Sequence, residues 1–287
     1  MGTDMFKLIE CPRDAMQGWH KPIATPDKVR YINQLLKVGF DTIDCGSFVS
    51  PKAIPQMADT AVVIPQLSNV NAKTKLLVIV ANERGAREAV QYDEINYLGF
   101  PFSISPTFQM RNTNSSMAES EQRVDEVVAL CSKHGKELVI YFSMGFGNPY
   151  GDPYHEEILL KWTEKMIRKG VQIISLADTV GLASPDQISM ALKTLKAQYA
   201  EVEWGVHLHS SAHNWEEKLS AAYNAGCLRF DGALKGIGGC PMAKDDLVGN
   251  MKTENILLFL QEHGHLKHIN QDALAVSLDI ANEIFVS

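Results

Sequence analysis

The sequence predicts a (β/α)8 TIM barrel with additional C-terminal helices, on three observations. Eight short β-like runs alternate with longer helix-like stretches almost to the end of the chain. Helical stretches open on a polar residue followed by Pro, which has no N–H to leave unpaired in a first turn. Residues able to do chemistry cluster just after the apolar runs, where a barrel gathers its strand ends on one rim.

In chain order, Phe6–Cys11 leads into Arg13 and Asp14, and Asp41–Cys45 carries Asp44 with Ser47 beyond it. Lys75–Ala81 is the third run, and Glu94–Leu98, the fourth, precedes Ser105. Glu137–Phe142 is followed by Gln172–Leu176, after which come Asp178 and Thr179. Val202–His207 brings His207 and His209, and Arg229–Ala233 leads to Gly236-Ile-Gly-Gly-Cys-Pro-Met, which holds Cys240. Between the runs, Thr25-Pro26-Asp27 precedes the apolar spacing of Val29, Ile32, Leu35 and Leu36, and Ser184-Pro185-Asp186 precedes Ile188, Leu192 and Leu195. A doubly wound open sheet is the alternative, but its Gly-x-Gly-x-x-Gly fingerprint does not follow the first strand, and there is no P-loop.

At 287 residues, 45% hydrophobic and 21% charged, the chain is long enough for one catalytic domain over 1–287, with a helical extension from about 246 to 287. A net charge of −7 with dispersed Lys and Arg argues against nucleic-acid or membrane-surface binding. Five cysteines, at 11, 45, 131, 227 and 240, lack Cys-x-x-Cys spacing and suit a reducing cytoplasm. No segment reaches membrane-spanning length, so a cytoplasmic protein is expected.

His207 and His209 are one residue apart at a strand end, where i and i+2 point the same way and can bind one cation. Asp14, at another strand end, can add an oxygen ligand. Structural readings stand beside these: satisfied polar histidines, an Arg13–Asp14 surface ion pair, an Asp178-Thr179 helix cap, and a glycine turn near 236–239 in which Cys240 is a small apolar residue.

Pro12-Arg-Asp, Ser47-Phe-Val-Ser-Pro-Lys, Pro55-Gln-Met-Ala-Asp, Ser175-Leu-Ala-Asp-Thr-Val-Gly, Val206-His-Leu-His and Gly238-Gly-Cys-Pro-Met-Ala-Lys together resemble 3-hydroxy-3-methylglutaryl-CoA lyase, a family of TIM-barrel metallolyases. The resemblance runs from Ile9 to the helix after Asn250, and the Gly-Gly-Cys-Pro loop favours the lyase over its cousins. It implies Asp14, His207, His209 and Asn250 as ligands of Mg2+ or Mn2+, with non-haem Fe(II) as the rival for that donor set. It also implies retro-Claisen cleavage of an acyl-CoA, with Arg13 stabilising enolate charge and Asp44 and Cys240 as further catalytic groups. Arg13, Ser47, Ser105, Ser175 and Asp178 would surround the acyl group, in a homodimeric enzyme.

Three positions depart from the family. Asp44 stands where the lyases generally have Glu, about 1.5 Å short of the usual reach. Ser210-Ser-Ala-His replaces Asp-Thr, and one extra residue separates Cys240 from Asn250. Condensation, aldol cleavage or carboxyl transfer on another hydroxyacyl-CoA or 2-oxo acid is therefore the second reading, with Lys235 as its nearest lysine; a non-catalytic barrel is the third. No added domain of the 2-isopropylmalate synthase-like kind is expected after the barrel, which places cleavage first.

Overall fold

The computed structural model describes residues 6–68, 73–239, 249–266 and 268–286. In order, the first half comprises β1 (Lys7–Glu10), α1 (Pro12–Gln17), α2 (Thr25–Leu35), β2 (Thr42–Ser47), α3 (Thr60–Val63), β3 (Lys75–Ile79), α4 (Glu83–Ala89), β4 (Ile95–Ser103), α5 (Pro106–Thr113) and α6 (Met117–His134). The second half comprises β5 (Glu137–Ser143), α7 (Glu156–Arg168), β6 (Ile173–Ala177), α8 (Pro185–Gln198), β7 (Glu203–His207), β8 (His209–Ser210), α9 (Trp215–Asn224), β9 (Arg229–Gly232), β10 (Gly249–Asn250), α10 (Thr253–Glu262) and α11 (Gln271–Ile284).

The parallel strands β1 to β7 and β9 close into a barrel, as the alternation predicts. Closure is made by β9 beside β1, with Lys7 opposite Arg229 and Glu10 opposite Gly232. Between strands and helices lies the main apolar core, while a second, inner cluster of Leu77, Ile79, Tyr97, Val139, Tyr141 and Ile173 fills the barrel itself. No helix among the described residues is long and apolar enough to cross a membrane.

Three local expectations are corrected. The fourth strand runs to Ser103 rather than stopping at Leu98. A Cβ at Gly99 would come within 2.6 Å of Ile79 Cδ1 and 3.1 Å of Tyr141, so glycine lets the strand continue through the crowded barrel interior. Thr25 is not a cap: it is the first residue of α2, and its hydroxyl donates to Asp59 Oδ2 at 2.6 Å. Third, β7 ends at His207, and His209 opens a separate two-residue strand, β8, paired antiparallel with β10 so that His209 faces Asn250. Elsewhere the capping chemistry is as read: Ser184 accepts from Gln187 N in a full capping box, with Pro185 opening α8.

On the outer face of β1, Glu10 is fully buried, accepting from Leu234 N at 2.9 Å and from the Thr253 hydroxyl. Burial pushes its carboxyl from the ordinary 4.5 up to about 8, against the lowering effect of those hydrogen bonds. A raised folded-state value means that this group's stabilisation is complete below the unfolded pKa and is lost as pH rises through the folded one. Chemical denaturation should show stability falling between pH 5 and pH 8, by at most about 5 kcal/mol. Glu10→Gln should flatten that slope; an unchanged slope in the variant would remove Glu10 as its cause.

Candidate active site

At the C-terminal end of the barrel a cleft of about 370 Å3 is lined by Arg13, Asp14, Asp44, His207 and His209, with Tyr141, Ser143 and Thr179 at its wall. On the α5 side its boundary includes Phe108 and Arg111, the guanidinium of Arg111 lying 4.6 Å from the Tyr150 ring centroid.

Arg13 and Asp14 sit in the short helix α1 directly after β1, so barrel closure aims both at the mouth. Arg13 donates Nε to Asp44 Oδ2 at 2.9 Å and Nη2 to the same oxygen, while Nη1 donates to Asp14 Oδ1 and to Gln17 Oε1, each at 2.8 Å. Four of its five N–H groups are thus engaged, and one on Nη2 remains for a ligand. Asp44 thus reaches Arg13 despite its short side chain, from a strand whose pairing with β3 shifts register between Asp44 and Gly46. Burial raises the Asp44 carboxyl to about 6 against the attraction of Arg13, leaving it mostly ionised at neutral pH.

Asp14 is also buried, which alone would raise its pKa, but Arg13 and His207 hold the carboxyl below its ordinary value. Its Oδ2 accepts from Asn250 Nδ2 at 2.7 Å and lies 3.9 Å from His207 Nε2. Asn250 Nδ2 also donates to Ile237 O at 2.9 Å, which turns the amide so that Oδ1 is the free end. His209 Nδ1 lies 2.6 Å from the carbonyl of Asp178. A carbonyl only accepts, so Nδ1 carries the proton and Nε2 presents a lone pair.

Both His209 Nε2 and Asn250 Oδ1 are buried without a hydrogen-bond partner, an arrangement that normally costs stability. Burial and the neighbouring His207 lower His209 to about 4, so it is neutral at pH 7. A cation seated between these atoms and Asp14 would satisfy both orphan acceptors, and this donor chemistry fits a divalent metal. The four residues that the resemblance implies as ligands, Asp14, His207, His209 and Asn250, therefore stand around the same end of the barrel, with Asp14 touching Asn250 and His207.

His207 also belongs to a second group: a ligand atom each from Cys11, His207 and Asp231 lie within 4.8 Å of one another. Cys11 is a buried thiol whose pKa is raised well above its ordinary value, first by burial and then by the nearby carboxylates, which disfavours the thiolate that a metal ligand must be. The two groups meet on opposite nitrogens of His207, Nδ1 facing Asp231 at 3.4 Å and Nε2 facing Asp14.

Other expected residues do not line the cleft. Ser105 caps α5, accepting from Phe108 N at 3.1 Å and donating to Asp152. Ser47 accepts from Val49 N at 3.2 Å in a local turn. Ser175 is fully buried in the barrel interior beneath the mouth, beside Arg229. Asp178 pairs with Lys218 at 2.7 Å, both side chains only 2% exposed. Cys240 lies outside the described residues.

Lys218, Tyr141 and Asp231 were not singled out from sequence. Lys218 is the most consequential for shape: its ammonium donates to Asp178 Oδ2, to His209 O at 2.9 Å and to Gly181 O at 3.2 Å, so one buried cation fixes His209 from behind. Its signal was weak, since a lysine in α9 reads as a solvated helix face.

The fold and rim define a (β/α)8 barrel with a candidate divalent-metal centre at its catalytic end. The HMGL-like family model matches residues 7–280, and the chain belongs to that family. It is 32% identical over 251 residues to hydroxymethylglutaryl-CoA lyase YngG of Bacillus subtilis (strain 168), covering 88% of this chain and 83% of that protein. The mitochondrial hydroxymethylglutaryl-CoA lyase of Macaca fascicularis is 30% identical over 271 residues, 93% of this chain and 82% of the relative. An HMG-CoA lyase structure from Acinetobacter baumannii, in complex with coenzyme A and 3-methylmalate, superposes with a TM-score of 0.90 at 29% identity, over 99% of this chain and 93% of that one.

Removing the Lys218 ammonium strands a buried carboxylate. Lys218→Met should lower unfolding free energy by about 3–5 kcal/mol. Adding Asp178→Asn should recover part of that loss; a single variant as stable as the parent would show that the pair does not hold the loop.

Proposed function

We propose that this protein is a divalent-cation-dependent carbon–carbon lyase that cleaves 3-hydroxy-3-methylglutaryl-CoA to acetoacetate and acetyl-CoA. The observation that carries the reading is the convergence of Asp14, His207, His209 and Asn250 with two unpaired acceptor atoms, beside an arginine with one N–H free. Family membership and the acyl-CoA chemistry named for the relatives support it.

These four side chains would hold Mg2+ or Mn2+, which when bound lowers the pKa of a coordinated β-hydroxyl and orients it. The substrate hydroxyl loses its proton, the C2–C3 bond breaks, the hydroxyl carbon becomes the ketone of acetoacetate, and the thioester fragment leaves as an enolate that takes up a proton. Arg13, held in place by Asp44, Asp14 and Gln17, directs its remaining N–H toward the thioester oxygen as charge develops there. Asp44 fixes that direction and leaves Oδ1 unpaired at the cleft. Proton delivery by Cys240 rests on the family resemblance alone.

The lysine-dependent alternatives find less support. No lysine lines the cleft among the described residues, and Lys235 Nζ instead donates to Asn282 Oδ1 at 2.6 Å. The same reading takes the enzyme as a cytoplasmic homodimer; the free, buried Cys11, Cys45, Cys131 and Cys227 suit a reducing compartment.

The direct test is acetyl-CoA release by purified protein with Mg2+ on a panel of 3-hydroxyacyl-CoA thioesters. Cleavage of the 3-hydroxy-3-methylglutaryl thioester, lost on chelation and reduced about a hundredfold by Arg13→Lys, is expected. No acetyl-CoA from any thioester would contradict the proposal.

Asp44 offers a specificity test on the same panel. Asp44→Asn weakens the grip on Arg13 and should lower kcat by about tenfold or more, whereas Asp44→Glu moves the carboxylate by about 1.5 Å and should change which acyl chain is preferred. Parent-like behaviour of both variants would make Asp44 a bystander.

A further inference from the structure

Resting on the metal-site reading above and deepening it, we propose that Asp231 is the positioning residue for His207, holding its Nδ1–H so that Nε2 faces the cation. β9 carries Arg229-Phe230-Asp231, and alternation along a strand turns Arg229 and Asp231 to the same, inward side. The barrel interior makes space for Arg229: a Cβ at Gly205 on the neighbouring strand would come within 2.9 Å of Arg229 Cδ and 3.2 Å of Ser175 Oγ. Charged groups inside a packed barrel are costly unless they are paired.

What Asp231 orients is set by the register. His207 and Asp231 are directly paired across β7 and β9. Asp231, with a side chain 0% exposed, brings Oδ2 to 3.4 Å from His207 Nδ1, while the opposite nitrogen of the ring lies 3.9 Å from Asp14 Oδ2. The ring is thus strung between two carboxylates. Asp14 belongs to the ligand set, and Asp231 stands behind it on the far side. A carboxylate on the non-ligating nitrogen fixes the tautomer and the ring plane, and removing such a partner typically weakens metal binding about 10–100-fold. His209 has the corresponding support from the carbonyl of Asp178, so each imidazole of the pair has its own backing acceptor. Asp231 is too deep to touch substrate, since it does not line the cleft.

The test measures Mn2+ dissociation constants by the electron paramagnetic resonance of free Mn2+, for the parent and for Asp231→Asn, alongside metal-free thermal unfolding. The expected result is a Kd raised about 10–100-fold with the metal-free midpoint little changed, and turnover recovered toward the parent value at saturating Mn2+. Equal Kd in the two proteins would overturn the assignment while leaving the metal site standing. A parent that binds no Mn2+ would overturn both. Should Asp231→Asn fail to fold, long-range 1H–15N spectra of the Mg2+-loaded parent decide: a proton on His207 Nδ1 supports the role, and a proton on Nε2 overturns it.

Discussion

Closure of the barrel between its first and last strands is the constraint on which the rim depends. The pairing of β1 with β9 brings residues near the two ends of the chain into hydrogen-bonding register, and α1 leaves β1 pointing Arg13 and Asp14 over the mouth. The Asn250 amide then spans 236 residues of sequence to reach Asp14 Oδ2. That bond settles which end of the amide is free. It makes the oxygen half of the candidate ligand set, Asp14 and Asn250, a product of tertiary closure.

A second layer of fixed polar contacts gives the rim its rigidity. Lys218 satisfies all three of its donors on the loop that carries Asp178 and on the His209 backbone. Asp178 in turn directs its carbonyl at His209 Nδ1, and Asp231 faces His207 Nδ1. Besides His209 Nε2 and Asn250 Oδ1, the buried atoms without a partner include Asp44 Oδ1 and Tyr141 OH at the cleft and Asp231 Oδ1 behind His207. A preorganised site shows this pattern, in which the ligand side chains are oriented by fixed neighbours.

Much of this was readable in the sequence. Alternating β-like and helix-like runs were enough for the closed barrel, because eight βα units have one favoured closed arrangement. The rule that chemistry gathers at strand ends groups Arg13, Asp14, Asp44 and the two histidines, and all five line the cleft. What escaped reading was non-local. His209 lies on β8, whose partner Asn250 is 41 residues away and leaves no periodic trace. The fourth strand continues past Leu98 because residues 99–103 pair with β5 and Gly99 packs against β3, partners that lie outside the local sequence. Asp178 looked like a group around the acyl chain, but its carboxylate belongs to Lys218, and only that buried partner turns it away from the cleft.

The central claim is where a cation sits, and anomalous diffraction from crystals grown with Mn2+ tests it most directly. A single anomalous peak within coordination distance of Asp14, His207 Nε2, His209 Nε2 and Asn250 Oδ1 is the result that this account requires. A peak on the other side of the ring, between Cys11, His207 Nδ1 and Asp231, would contradict it.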